Sequence, residues 1–195
     1  MKKLVAAMFV IDALVIALVS WLMRQPFIPD QAALFLAYLF PIAFSLHVLE
    51  EFIFPGKGED WFRLYCPRFA QRYTDAYFVK INALGFAGAA LVPLGLLDYR
   101  GGYSIGGIFG NMIFASTLLA NAYYHVRGSF KTKQYSPGTA TGVVLYLPIA
   151  IAFFAQLLRT GAANWIETIF CLAIGSQLQR IIDSTHERAL RKQSS

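Results

Sequence analysis

One short run of the sequence combines an imidazole with two carboxylates, His47-Val48-Leu49-Glu50-Glu51. In a helix of 3.6 residues per turn, the third and fourth positions after His47 lie one turn further along, on either side of it. All three polar side chains therefore project from one helix face. Imidazole and carboxylate together suit zinc or iron, and with open coordination positions they support hydrolytic or oxygen chemistry. The run predicts a metal or acid-base site.

Other polar residues that could join this site are few. The chain has only three histidines, and the second, His125, lies one helical turn after Asn121 in a different apolar run. The third, His186, follows the last apolar run, where a solvated helix end is the simpler interpretation and a third histidine ligand the alternative. A rise of 1.5 Å per residue places six side chains within about 10 Å of the inner edge of the hydrocarbon. These are His47, Glu50, Glu51, Asn82, Asn121 and His125.

The composition shows what kind of chain must position them. Of its 195 residues 57% are hydrophobic and 14% charged, and the mean hydropathy is +0.51. A soluble domain carries about 25% charged residues. Apolar runs of about 20 residues can cross a bilayer, so a soluble enzyme, a disordered tail and a nucleic-acid-binding domain are excluded as primary interpretations. Cys66 and Cys171 form neither a C-x-x-C spacing nor a disulfide framework.

The apolar runs predict an all-α fold, a polytopic bundle of six transmembrane helices forming a single domain over residues 1–195. The spans are 4–23, 32–54, 78–97, 105–125, 139–158 and 163–182. The first resembles a signal peptide, but it is longer than 7 to 15 residues and lacks an A-x-A site, so we expect it to be retained. In Tyr135-Ser136-Pro137-Gly138, the serine is expected to cap the fifth span, with the proline at its first position.

Lysine and arginine set the expected orientation. With both termini in the cytoplasm, including the tail at 183–195, the outer loops hold only Arg24, Arg100 and Arg159, which leaves 14 of the 17 basic residues inside. The inner loop at 55–77 carries Trp61, Tyr65, Phe69 and Tyr73 at four-residue spacing. It predicts an interfacial helix, broken at Pro67, that anchors the chain or acts as a lid or headgroup contact.

The acidic count favours one metal ion over two. A ferritin-like di-iron site uses four carboxylates and two Glu-x-x-His pairs, whereas this chain has one pair in reversed order. We therefore predict a single divalent ion, zinc or iron. Its candidate ligands are His47, Glu50, Glu51 and His125. Whichever of Glu50 and Glu51 does not bind the metal is a candidate general base or a hydrogen-bond partner of a ligating imidazole. Asn82 and Asn121 are expected to orient ligands or bind an oxyanion.

Several alternatives stay open at this point. A metal-free acid-base enzyme of the isomerase type needs the same residue types, since burial raises the pKa of a glutamate. A small transporter could use the same polar cluster, although transporters place polar residues near mid-membrane in both halves. A purely structural network is the last alternative. Asp12 in the first span serves packing, a counter-charge or the site itself.

The run at residues 47–51 resembles the motif of the HXXEE family of bacterial integral membrane proteins. The NAYYH stretch at 121–125 and the YSPG stretch at 135–138 are similar to that family as well, and the resemblance covers about residues 38–150. It implies an enzymatic role and a site built on these residues, without naming a reaction. The family's asparagine corresponds to Asn82 or Asn121.

These observations predict a metal-dependent integral membrane enzyme of the bacterial cytoplasmic membrane. Because the site is shallow, we expect it to meet lipid headgroups and the first part of the acyl chains, so the predicted substrate is lipid-like or otherwise apolar. Phe35, Phe40 and Phe44 are expected to line an apolar approach. Hydrolysis is favoured slightly over oxidation or isomerisation. The expected partners are the lipid bilayer and a small-molecule substrate, with no nucleic acid, and the oligomeric state is left open.

Overall fold

A computed structural model describes residues 1–22, 24, 31–65, 74–96 and 105–191, the last thirteen of these by their backbone alone. All secondary structure assigned within these ranges is helical, which confirms the predicted all-α fold. Some residues named above lie outside the described residues. They are Cys66, Pro67, Phe69, Tyr73, Arg100 and the side chain of His186.

Seven helices follow one another within the described ranges. They are α1 (Lys2–Leu22), α2 (Gln31–Phe52), α3 (Gly58–Tyr65), α4 (Asp75–Leu91), α5 (Ile105–Thr132), α6 (Thr139–Thr160) and α7 (Trp165–Arg191). A 3₁₀ turn, Val92–Leu96, extends α4. Within α6, a π-helical turn from Gly142–Tyr146 lies between a single α turn and the regular helix Leu147–Thr160.

The long helices identify an integral membrane protein. Within the described residues, five segments are long and apolar enough to cross a membrane: α1, α2, α4 with its 3₁₀ extension, α5 and α6. About 20 apolar residues are needed to span the hydrocarbon core. The sixth predicted span coincides with a shorter apolar segment, Trp165–Leu178, in the first half of α7.

Helix α2 lies at the centre of the bundle and contacts α1, α4 and α6, while α5 contacts α7. Phe40 of α2 is fully buried, and its ring packs edge-on against Phe153 of α6 with 5.6 Å between the ring centroids. Phe44 lies against Gly85 of α4. Phe40 therefore lies in the core and does not line an open approach, so the prediction is wrong for that ring. Phe44 is partly buried beside the core, and its predicted lining role stays a prediction. Phe35 is exposed, as that prediction required.

Two glycines bring neighbouring elements close to the polar run of α2. A Cβ at Gly142 of α6 would lie 3.1 Å from Ala122 of α5, so the two helices approach closely one turn before His125. A Cβ at Gly58 would lie 2.7 Å from the carbonyl oxygen of Glu51, so α3 begins directly against the end of α2. The starts of α3 and α6 therefore lie beside the predicted site.

Helix α3 packs inward against the bundle. Trp61 and Tyr65 are 4% and 8% exposed, and the Trp61 ring occupies the space that a side chain at position 128 would need. A helix is therefore present in the first part of the predicted interfacial segment, and Trp61 and Tyr65 share one of its faces. Its interfacial position stays a prediction. Leu64 is exposed and faces away from the protein.

Candidate metal centre

Three side chains of the predicted site meet between α2 and α5. His47, Glu51 and His125 are 3%, 4% and 0% exposed, and each offers a ligand atom within 4.8 Å of the others. Glu51 Oε1 lies 3.5 Å from His47 Nε2 and 3.0 Å from His125 Nε2. The two imidazole rings are nearly perpendicular, at 78°. The predicted convergence of these three side chains is therefore present.

Each imidazole is oriented through its other nitrogen. His47 Nδ1 lies 2.9 Å from the hydroxyl of Thr141, and His125 Nδ1 lies 2.7 Å from the hydroxyl of Ser136. Both hydroxyls belong to the segment that ends the α5–α6 connection and begins α6. Partners of this kind fix ring orientation in metal sites, where the second imidazole nitrogen is almost always hydrogen-bonded. They leave both Nε2 atoms directed towards Glu51.

The hydrogen bonds of Thr141 determine the tautomer of His47. The Thr141 hydroxyl donates to Glu50 Oε2 at 2.6 Å, and an ionised carboxylate can only accept. Since a hydroxyl carries one hydrogen, the same oxygen must accept from His47 Nδ1–H. In neutral His47 the lone pair is therefore on Nε2, the atom that faces Glu51. This is the form in which an imidazole binds a metal.

The Nε2 atoms of His47 and His125 are buried and have no hydrogen-bond partner among the described residues. Leaving a buried polar atom unpartnered costs about 1–3 kcal/mol. Zinc ligands lie at about 2.0–2.2 Å, so two ligand atoms on a tetrahedral ion are about 3.4 Å apart. The separations of 3.5 and 3.0 Å from Glu51 Oε1 are close to this value. Both separations from the carboxylate therefore match a divalent cation, and the three ligand atoms all lie within 4.8 Å of one another.

Glu50 is used differently from its neighbour. Its Oε1 accepts from the backbone N–H groups of Gly138 (2.8 Å) and Ala140 (3.1 Å), and its Oε2 accepts from the N–H of Thr141 (2.8 Å). Adding the hydroxyls of Thr141 and Tyr135, it receives five hydrogen bonds. The first N–H groups of a helix lack partners within that helix and carry a partial positive charge. The Glu50 carboxylate accepts hydrogen bonds from these N–H groups and places a negative charge beside them. It thereby anchors the start of α6 to α2.

This anchor replaces the predicted cap. Helix α6 begins at Thr139 with Gly138 as its N-cap and with no side-chain cap from Ser136, so the capping prediction is wrong. The Ser136 hydroxyl faces His125 instead, and the backbone N–H of Ser136 donates to Ser129 Oγ at 2.9 Å.

Tyr135, which donates to Glu50, keeps its proton at neutral pH. Burial and the bond to the Glu50 carboxylate raise the pKa of Tyr135 to about 12, so its hydroxyl stays a donor.

Gly138 lies directly against both imidazoles. Its φ is +100°, and a Cβ there would lie 2.6 Å from His47 Cε1 and 2.9 Å from His125 Cε1. Residues with side chains rarely adopt this backbone region, and real Cβ atoms do not approach other atoms so closely. Only glycine lets the connection pass between the two rings.

Two further aromatic rings cover the imidazoles. Trp61 of α3 stacks on His125 with 5.5 Å between centroids and an angle of 26°. Tyr146 of α6 lies over His47 at 4.8 Å and 35°. Both rings are buried. Helix α3 therefore forms part of the wall of the site, in the position that the lid interpretation requires.

The predicted asparagines do not bind the cluster directly. Asn82 is buried and donates to the carbonyl of Phe78, one turn earlier in its own helix. Asn121 has a buried Oδ1 with no hydrogen-bond partner in the described part of the chain. Neither amide hydrogen-bonds to the three clustered side chains within the described ranges, so their catalytic roles stay predictions. Asp12 is buried, and neither of its carboxylate oxygens has a hydrogen-bond partner among the described residues, so its predicted roles stay predictions.

Sequence reasoning missed several residues that hold the rings. The sequence predicts no role for Thr141 or Tyr146. It predicts Ser136 and Gly138 as a helix start within a stretch that resembles the family, and Trp61 as part of an anchor, a lid or a headgroup contact. A usable signal was present, because residues 134–141 form a dense polar stretch between two apolar runs, nine residues after His125. A polar stretch that close to a candidate ligand can bond to it.

Comparison with known proteins points to the part of the chain that contains the three clustered side chains. No curated protein and no solved structure matches the chain significantly. A family model described as "Protein of unknown function with HXXEE motif" matches residues 38–153. The match covers more than half of the chain and includes both clustered histidines, both glutamates and the start of α6. The chain therefore belongs to the HXXEE family.

Proposed function

We propose that the chain is a metal-dependent membrane enzyme that holds one divalent ion, zinc or iron, between His47, Glu51 and His125. The observation that carries the proposal is the pair of buried, unpartnered Nε2 atoms directed at one carboxylate oxygen. Two histidines and one carboxylate with open positions are a ligand set of hydrolytic zinc and of oxygen-activating iron enzymes. When bound in such a site, zinc lowers the pKa of a water ligand to about 7.

The remaining residues are assigned by what they contact. Thr141 and Ser136 hold the imidazoles in the binding orientation, and Trp61 and Tyr146 exclude water from the ring faces. Glu50, offered by the sequence as ligand or base, already accepts five hydrogen bonds at α6. We assign it to positioning.

The membrane setting that we propose has six spans with both termini in the cytoplasm of a bacterium. The basic residues favour it, and α7, with 27 residues, is long enough for a sixth span if part of its polar half enters the headgroup region. Glu51 is the second-last residue of α2, so the centre lies near the inner surface of the bilayer. This depth supports a lipid-like substrate with a hydrolysable bond close to its headgroup.

Metal analysis of the purified protein tests the proposal. We expect about one zinc or iron per wild-type chain and about a tenfold lower content in His47→Ala and His125→Ala, since a ligand is lost. Far-UV circular dichroism should show the same helix content in all three. Glu167→Gln is the control, because this carboxylate accepts from the backbone N–H of Asn164 and belongs to no metal group among the described residues.

A wild-type protein that neither contains metal nor binds added zinc or iron(II) would contradict this proposal. That result would favour the metal-free acid-base enzyme. The separation of 3.0 Å between His125 Nε2 and Glu51 Oε1 supports this second candidate, because it also suits a protonated imidazole beside a carboxylate.

Access to the centre gives a second test. Trp61→Ala removes the ring that stacks on His125, so we expect a chelator to extract the metal about tenfold faster, as local opening becomes easier. Trp165→Ala is the matched control, because Trp165 is 69% exposed at the start of α7. Extraction rates followed by absorbance of the chelator complex measure the effect. Equal rates in the two variants would show that α3 does not control access.

A further inference from the structure

Tyr146 is a buried side chain whose hydroxyl has no evident use. The residue is fully buried, and its hydroxyl has no hydrogen-bond partner within the described residues. Its ring lies over His47 with 4.8 Å between centroids. An unpartnered buried hydroxyl carries a desolvation cost that phenylalanine would avoid. The position therefore holds a hydrogen-bond donor at a cost, on a ring that packs against the candidate ligand His47.

A local irregularity of α6 brings Tyr146 to this place. In an α-helix, residues five apart point about 140° away from each other, because each residue turns by 100°. The turn Gly142–Tyr146 is π-helical, with the N–H of Leu147 bonded to the carbonyl of Gly142, so residues five apart lie on nearly the same face. Thr141 contacts the edge of the His47 ring and Tyr146 covers its face. A regular helix could not make both contacts.

The two carboxylates closest in effect to Tyr146 are already engaged elsewhere. Glu50 and Glu51 are the carboxylates whose charges act on Tyr146, yet neither hydrogen-bonds to it among the described residues. Glu50 is occupied by α6, and Glu51 is the proposed metal ligand. Neither carboxylate is therefore free to accept from this hydroxyl, and an oxygen that arrives from outside the protein has matching chemistry.

We propose that the Tyr146 hydroxyl donates a hydrogen bond to the ligand that the metal takes from outside the protein, an oxygen of the substrate. This inference rests on the proposed metal centre and extends it. A neutral phenol aimed at an oxygen that gains negative charge stabilises that charge, as the donors of an oxyanion hole do. The substrate class is then one with a carbonyl or phosphoryl oxygen at the reacting bond.

Azide binding to the cobalt(II)-loaded protein tests this assignment. Tyr146→Phe removes only the hydroxyl and keeps the ring on His47, so we expect cobalt affinity within about twofold of wild type. Azide affinity, titrated by visible absorption, should fall about tenfold, the effect of losing one hydrogen bond to an anion. Tyr38→Phe is the matched control. Tyr38 is also buried with an unpartnered hydroxyl, nine residues before His47 on α2.

The outcomes distinguish a failure of the proposed Tyr146 hydrogen bond from a failure of the proposed metal centre. Reduced azide affinity in Tyr146→Phe alone, with unchanged cobalt affinity, supports the proposal. Unchanged azide affinity, an equal fall in Tyr38→Phe, or a large loss of cobalt from Tyr146→Phe overturns it, and the last result would make Tyr146 a support of His47. A wild-type protein that binds no cobalt would instead refute the metal centre, before azide is added.

Discussion

Glu51→Gln is expected to lose metal affinity by at least about 100-fold and keep its fold, since the ligand is exchanged for a weak one of the same shape. The carboxylate is buried beside two imidazoles whose Nε2 atoms lack hydrogen-bond partners. When no metal is bound, the change removes a desolvation cost and also the contacts of the charge with the two imidazoles at 3.0 and 3.5 Å. The two effects oppose each other, so the stability of the metal-free variant should change little.

Glu50→Gln, one residue away, is expected to show the reverse pattern. An amide offers one acceptor atom where the native carboxylate offers two, so donors of Gly138, Ala140 or Thr141 lose their partner. We expect the free energy of unfolding of the metal-free protein to fall by about 2–4 kcal/mol. Metal affinity should fall less than in Glu51→Gln, because the three ligands are retained.

Two measurements on the same preparations separate these effects. Isothermal titration with zinc gives the affinity, and circular dichroism during titration with sodium dodecyl sulfate gives the stability of the metal-free protein. The two variants make the same change of charge and size at neighbouring positions, so each serves as the control for the other. Equal losses of affinity and stability in both would show that the two carboxylates share one role.

Gly138→Ala is expected to disrupt the centre without altering any ligand. The added methyl would lie 2.6 Å from His47 and 2.9 Å from His125, so at least one imidazole must move. Sites of this kind tolerate displacements of about 0.5 Å, and we expect metal affinity to fall by about 100-fold. The left-handed backbone adds about 1–2 kcal/mol of destabilisation.

Gly161→Ala is the matched control for the backbone effect. Gly161 also has a left-handed backbone, with φ of +70°, and a Cβ there would meet nothing within 4 Å. This variant should lose about 1–2 kcal/mol of stability with unchanged zinc affinity. The difference between the two variants isolates the contact with the imidazoles. Unchanged zinc affinity in Gly138→Ala would contradict the described approach of this glycine to the rings.

The parts of the site that sequence reasoning predicted are those that follow from helical periodicity. His47 and Glu51 are four residues apart, and regular helix geometry is enough to place them on one face. His125 was paired with them by counting residues from the ends of the spans, which works because apolar length fixes depth. The all-α fold follows from the same apolar runs.

The parts that could not be predicted depend on contacts between distant segments. Glu50 and Glu51 are identical in type and adjacent in sequence, and only the start of α6 distinguishes them. Tyr146 depends on a π-helical turn, so a periodicity of 100° per residue assigns it to the wrong face. Asn82 satisfies its donor within α4, an interaction that no spacing in the sequence indicates.

Because Glu50 and the His47 hydrogen bond both depend on the segment at 138–141, synthesis of the chain has a defined point at which the centre becomes complete. Until the ribosome has released that segment, His47 lacks the hydrogen bond from its Nδ1 to Thr141, and Glu50 lacks the backbone N–H groups of α6. We therefore expect the proposed metal to be taken up late in biogenesis. A product that stops before residue 138 would carry the family motif intact and still lack a working centre.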